Sequence, residues 1–361
     1  MANIAENRWR GRPYLSAGLR AFVFAAPIVV AAFASAVTAG AVNDSVRSLP
    51  LRWAIVIAGS LLVLLVADRL ARRLLPLAVL LRMDLAFPGK TPSRLGVGLD
   101  AANLRELEER VRIARTMGFG DDPDTAAEMT LSLVAAAEAH DRATRGHAER
   151  VRAYADLLAE DMNVHPSERD KLRWAALLHD VGKLEVPISV LNKPGPLDAR
   201  ELEVVRRHPE EGARLTRPLH AWLGEWADAI TQHHERWDGR GYPNGLEGSD
   251  LSLAARIIAV ADVYETMTAA RPYHRPKTQS EARRELIRCA GAQFDPQVVN
   301  AFLELPIRRL RAVSGPATWI ANMPVLRGVE RVNAFVGRVA SAAAVAGGAL
   351  AVSIAQATLH R

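Results

Sequence analysis

The sequence predicts an all-α protein, a helical metal-binding domain preceded by an N-terminal transmembrane hairpin, and three observations predict it. Two apolar stretches near the N-terminus approach or reach the length needed to cross a bilayer. From about residue 121 to residue 310, apolar side chains recur at helical spacing between short loops, with no alternating strand pattern of any length. Within that region stand five histidines and two aspartates, His147, His179, Asp180, His208, His233, His234 and Asp262, in a spacing that a packed core has no need of.

Ala21–Val42 is 22 uncharged residues, enough for a hydrocarbon core of roughly 30 Å even with Pro27 inside. Trp53–Ala67 is 15 uncharged residues rich in Leu, Ile and Val, with Arg52 and Arg69 placed to snorkel at its ends. Together they define a membrane region, 1–82, with helices at about 21–42 and 51–68. Neither reads as a cleaved leader: the first begins late, lacks a processing site and is followed by a second apolar segment. Arg8, Arg10, Arg12 and Arg20 precede the first span and Arg69, Arg72, Arg73 and Arg82 follow the second, while the connecting loop holds only Arg47 and Arg52. The positive-inside bias therefore places both outer flanks in the cytoplasm.

Residues 83–121 read as a linker, with Pro88, Gly89, Pro92, Gly96 and Gly98 leading into Leu99–Met117. There Leu104, Leu107, Val111 and Ala114 repeat at helical spacing among charges. A homodimer through the 99–117 helix and a monomeric helix folded onto the next domain both fit that pattern. Asp121–Asp122–Pro123 starts a further helix, with carboxylates where the dipole favours them. The helical domain is assigned to 122–310, and Pro306, Pro316 and Pro324 mark a following linker, 311–338. The last stretch, Val339–Leu359, is 21 uncharged residues, mostly small, so its insertion energy is marginal. A tail anchor, a helix packed on the other spans and a soluble Ala-rich tail all fit it.

Over 361 residues, 49% hydrophobic content and a net charge of +6 suit a globular domain with membrane pieces. The basic residues gather near the spans, where anionic lipid headgroups account for them better than a nucleic-acid polymer does. Cys289, the single cysteine, excludes an internal disulfide.

Arg173 to Leu178 runs as an apolar helix into adjacent His179 and Asp180, where unpartnered ionisable groups would be costly to bury. Metal coordination removes that cost. Imidazole and carboxylate without thiolate favour Fe, Mn or similar ions over a structural zinc site. Asp180 is the candidate bridge: two divalent ions about 3.5–4 Å apart can share a hydroxide and hold both oxygens of a phosphoryl displacement. His140, His165, His220 and His360 read instead as ordinary hydrogen-bonded histidines.

Seven ordered pieces carry a resemblance: Gly146–Val151 (GHAERV), Leu177–Pro187 (LLHDVGKLEVP), Leu191–Leu197 (LNKPGPL), His208–Gly212 (HPEEG), His233–Leu246 (HHERWDGRGYPNGL), Arg256–His274 (RIIAVADVYETMTAARPYH) and Phe294–Val299 (FDPQVV). From about Leu131 to Leu305, nearly half of the chain, the sequence resembles an HD-GYP domain, the branch of the HD phosphohydrolase superfamily associated with cyclic di-GMP hydrolysis. The resemblance implies one metal on His147, His179, Asp180 and Asp262, and another on Asp180, His208, His233 and His234. Lys183, four residues after His179, would share its helical face and reach a phosphate oxygen. The loop Asp238–Pro243, carrying Arg240 and Tyr242, would form a lip over the metals. Arg271, with Arg275 nearby, would bind a phosphodiester in fork geometry.

Three departures from the family pattern stand out. Ala143 sits where a third-metal carboxylate could project, which implies two ions. Glu265 replaces a usual Asp and His274 a usual Lys or Arg, and neither is expected to touch the seven ligands. The expectation is a multi-pass protein of the bacterial inner membrane whose cytoplasmic domain linearises cyclic di-GMP to pGpG, with GMP as a further product left open. Catalysis would rest on Asp180 and Lys183. A cyclic-dinucleotide receptor without turnover, or hydrolysis of another nucleotide, are the alternatives.

Overall fold

The computed structural model describes residues 7–43, 46, 48–102, 112, 121–140, 146–191, 193, 195–269 and 276–313. Ala143, Arg271, His274, Arg275, most of 99–117 and the stretch 339–359 lie outside the described residues.

The chain starts with a two-residue strand β1 (Arg8–Trp9) and two long helices, α1 (Pro13–Asn43) and α2 (Leu49–Arg72). Both outrun the uncharged stretches, because the helices continue through Arg20 at one end and through Asp68, Arg69 and Arg72 at the other. Charged residues in an end turn do not stop a helix; Arg72 pairs with Asp68 at 2.6 Å. Most of the large apolar side chains here, among them Phe22, Ile28, Phe33, Ile57 and Leu62, are exposed. The two helices are long and apolar enough to cross a membrane.

After α3 (Leu75–Leu80), strand β2 (Leu85–Ala86) pairs antiparallel with β1, Arg8 opposite Ala86 and Trp9 opposite Leu85. The two ends of the hairpin are thus tied side by side. Within the described part of 83–121, β2 and α4 (Arg94–Ala102) are packed parts of the main core, with Met83, Leu85, Val97 and Ala101 fully buried. Strands of two residues carry no periodicity, so no sequence pattern announces them.

Then follow α5 (Pro123–His140), α6 (His147–Asp161), α7 (Pro166–Leu178), a 3-10 turn (Val181–Glu185), α8 (Ile188–Leu191), α9 (Ala199–Arg206), α10 (His208–Leu223), α11 (Asp228–Gln232), α12 (Leu253–Thr268), α13 (Gln279–Cys289) and α14 (Pro296–Glu304). Local chemistry sets their starts. Asp122 accepts from Thr125 N at 2.8 Å ahead of α5, and His165 caps α7. Asp198 with Glu201 and Thr278 with Glu281 form capping boxes at α9 and α13.

Helix α7 separates two cores. Its Trp174, Leu177 and Leu178 join β1, β2, α5 and α10, while Leu172, Ala175 and Ala176 join α6 and α12–α14. Trp174 donates to Ala86 O at 2.6 Å, its ring sits 5.6 Å edge-on from Phe87, and Phe87 meets Trp9 at 5.0 Å. The helix that leads into His179 and Asp180 is therefore packed directly on the base of the apolar hairpin.

Candidate metal centre

His179, His208 and His233 are buried and arranged alike. Their Nδ1 atoms meet the carbonyls three residues earlier: Ala176 O at 2.8 Å, Val205 O at 2.6 Å and Ile230 O at 3.0 Å. A carbonyl only accepts, so Nδ1 carries the proton and Nε2 turns inward with a bare lone pair. His208 Nε2 and His233 Nε2 then face each other at 3.2 Å. Two facing acceptors repel unless a cation lies against them. His179 Nε2 and Asp180 Oδ1 are also buried without a hydrogen-bond partner among the described residues. These orphaned, convergent lone pairs are the arrangement that metal ions satisfy.

Asp180 lies between two groups. Its Oδ1 is 3.4 Å from His208 Nε2 and 3.9 Å from His233 Nε2, while Oδ2 is 3.6 Å from His147 Nε2 and 3.5 Å from His179 Nε2. Ligand atoms of His147, His179 and Asp180 lie within 4.8 Å of one another, as do those of Asp180, His208, His233 and His234. Asp262 stands outside both compact sets, yet its Oδ1 is 3.4 Å from His147 Nε2 and it lines the same cavity.

Burial alone would raise the Asp180 carboxyl; Lys183, His179, His147 and His208 overrule it and hold it well below the usual range. Burial and the neighbouring His208 lower His234 to about 4, so it is a neutral donor at pH 7. His147 is the opposite case. Burial disfavours its cation, but Asp180, Glu265 and Asp262 outweigh that and push it up to about 10, the field a metal cation would also meet.

Two sequence expectations are corrected here. Glu265 does touch a candidate ligand: its Oε2 is 2.6 Å from His147 Nδ1, and its Oε1 accepts from Arg150 Nε at 2.7 Å. Packing of α6 on α12 brings them together across the chain. Lys183 does not share a helical face with His179, because α7 ends at Leu178 and a 3-10 turn follows. With three residues per turn, Lys183 falls over Asp180 instead and donates to Oδ2 at 2.6 Å.

Glycines close the site. A Cβ on Gly182 would lie 1.9 Å from His208 O and 2.5 Å from Gly212 N, so only glycine lets the 3-10 turn press against the start of α10. The loop Asp238–Pro243 folds over the buried Glu235, whose Oε1 accepts from Asn244 N at 2.6 Å and Gly245 N at 3.1 Å. A Cβ on Gly241 would meet Glu235 Cα at 2.4 Å. The Tyr242 ring stacks on His234 at 4.8 Å and 22°, and the Arg206 guanidinium lies 5.4 Å from the same ring. The result is a cavity of about 510 Å³ whose lining includes His147, Asp180, Lys183, Arg206, Arg240 and Tyr242.

Sequence reasoning passed over Arg206, Glu235 and Gln293, all in this lining. Arg206 had a signal in its place two residues before His208; the others had none. Of the histidines set aside, His165 bonds Ser167 and His220 bonds Thr216 at 3.1 Å.

Residues 132–298 match the family model described as HD domain. A 3'3'-cGAMP-specific phosphodiesterase 2 of Vibrio cholerae is 40% identical over 182 residues, 50% of this chain and 35% of that protein. A cyclic di-GMP phosphodiesterase of Thermotoga maritima is 38% identical over 188 residues, 52% of this chain and 51% of its own length. The cyclic di-GMP phosphodiesterase response regulator RpfG of Xanthomonas campestris pv. campestris is 38% identical over 203 residues, 56% and 50% of the two chains. The chain spans about half or less of the length of these relatives.

Proposed function

We propose that residues 132–298, which match the HD domain model, form a domain of the HD-GYP kind, and that the protein is a metal-dependent phosphodiesterase that opens cyclic di-GMP to linear pGpG. The observation that carries the reading is the pair of ligand groups sharing Asp180, one carboxylate oxygen turned to each. His147, His179, Asp180 and Asp262 would hold one ion and Asp180, His208, His233 and His234 the other, with Fe or Mn suited to a donor set free of thiolate. Such ions supply Lewis-acid charge to phosphodiester oxygens and lower the pKa of water. The chain supplies the rest. Lys183, Arg206 and Arg240 line the cavity with positive charge for the substrate phosphates, and Glu235 holds the loop that carries Tyr242 in place. The roles of Arg271 and Arg275 as further phosphate contacts rest on the resemblance alone.

A second reading, preference for 3'3'-cGAMP, is favoured by the 40% identity to the 3'3'-cGAMP-specific phosphodiesterase 2 of Vibrio cholerae. Incubation of the purified Mn-loaded protein with each cyclic dinucleotide, followed by chromatography, separates them. Conversion of cyclic di-GMP to pGpG is the expected result. Faster turnover of 3'3'-cGAMP would select the second reading, and tight binding with no linear product would mark a receptor.

The hairpin is proposed to lie in a bacterial inner membrane with the HD domain on the cytoplasmic side. Exposed apolar faces on α1 and α2, the arginine distribution and the β1–β2 pairing, which puts both flanks at one end, support this. Reporter fusions after residue 90 are expected to be cytoplasmic and fusions near Asp44 external; residue 90 outside would separate the site from its substrate. In the described start of 99–117, Ala101 is buried in the chain's own core and Leu99 is exposed, so a helix folded onto the domain and a dimer through an exposed face both fit.

A further inference from the structure

Three candidate ligands are oriented by main-chain carbonyls. His179, His208 and His233 each direct Nδ1 to a carbonyl three residues back. His147, the first residue of α6, is held differently. Its Nδ1 turns instead to the Glu265 carboxylate at 2.6 Å, on a side chain only 1% exposed. The contact is built from paired positions. Arg150 follows His147 by three residues on α6, and Glu265 follows Asp262 by three on α12, so both pairs share a helical face. Asp262 then meets His147 Nε2 at 3.4 Å, while Arg150 Nε donates to the second Glu265 oxygen at 2.7 Å.

We infer that Glu265 is a positioning residue that makes the two halves of the centre unequal. The group His147, His179 and Asp180, backed by a carboxylate, binds its divalent cation more tightly than the group Asp180, His208, His233 and His234, in which His208 and His233 rest on neutral carbonyls. A carboxylate accepting from Nδ1 fixes the tautomer and ring orientation, as a carbonyl does, and in addition raises the basicity of Nε2. The inference rests on the two-ion reading above and adds an order of filling to it.

The test is a titration of the metal-free full-length protein in detergent with Mn²⁺ alone, with bound metal measured by equilibrium dialysis and electron paramagnetic resonance. The wild type is expected to fill in two resolved steps. Glu265→Gln keeps size and an acceptor but loses the charge, and should weaken the tighter step by about 10–100-fold while leaving the weaker one in place. Glu265→Asp returns the carboxylate and should restore part of the loss; it also carries the comparison if the Gln variant fails to fold. His147→Ala identifies the step that belongs to this half. Two wild-type sites of equal affinity, or a Gln variant with both steps unchanged, would overturn the inference and leave the two-ion reading standing. A wild-type protein that takes up no Mn²⁺ would sink both.

Discussion

Asp180→Ala is expected to abolish hydrolysis of cyclic di-GMP and to lower bound metal at both halves of the centre. Asp180 Oδ1 lies 3.4 Å from His208 Nε2 and Oδ2 lies 3.6 Å from His147 Nε2, so one truncation takes the shared anion from both groups. Stabilisation of phosphoryl-transfer charge by bound metal amounts to several kcal/mol, and at about 1.4 kcal/mol per factor of ten its loss means a rate fall of roughly a thousandfold or more. The fold should survive. Asp180 belongs to neither hydrophobic core, and alanine removes a carboxylate from a partly buried position instead of stranding one. Lys183 loses its 2.6 Å partner but is partly exposed and remains solvated. Initial rates and metal content per chain, set beside a circular dichroism melt, check this. A variant that keeps wild-type rate and metal content would remove Asp180 from the centre.

The parts of this site that could be read from sequence are those whose chemistry is intrinsic to the side chain. An adjacent His and Asp after an apolar run, paired histidines and a distant aspartate announce themselves by type and order. Glu265 does not: its neighbour His147 is 118 positions away in sequence, and only the packing of α6 on α12 makes them partners. Lys183 was assigned to the wrong face for a local reason, since the pattern of α7 gives no sign that the helix stops at Leu178 and tightens into a 3-10 turn. The same holds for the strand pair β1–β2. β1 and β2 are two residues each, too short for any alternation, and their pairing is fixed by Trp9, Phe87 and Trp174 packing between distant segments. The helix begun at Asp122 depends on a neighbour three residues on, Thr125, and is legible for that reason.

Gly182→Ala is expected to be the most damaging single methyl group in the domain. Its Cβ would meet main-chain atoms, His208 O at 1.9 Å and Gly212 N at 2.5 Å, and backbone of a packed helix cannot turn aside as a flexible side chain can. Either the 3-10 turn lifts away with Asp180 and Lys183, or α10 shifts with His208; both routes separate the ligand groups. Gly212→Ala provides the contrast on the other side of the same contact. Its Cβ would meet Ile230 Cγ2 at 3.1 Å, a side-chain methyl that can yield by a few tenths of an ångström. Overpacking of this kind costs typically 1–3 kcal/mol and more where backbone must move. At about 2–4 °C per kcal/mol for a domain of this size, Gly182→Ala should melt roughly 5–10 °C below the wild type. Gly212→Ala should fall by about 3 °C or less on the same scale. Metal content separates the two further: it should drop with Gly182→Ala and stay near wild type with Gly212→Ala. Equal melting points and equal metal loading in the two variants would show that the close approach of the 3-10 turn to α10 does not hold the centre together.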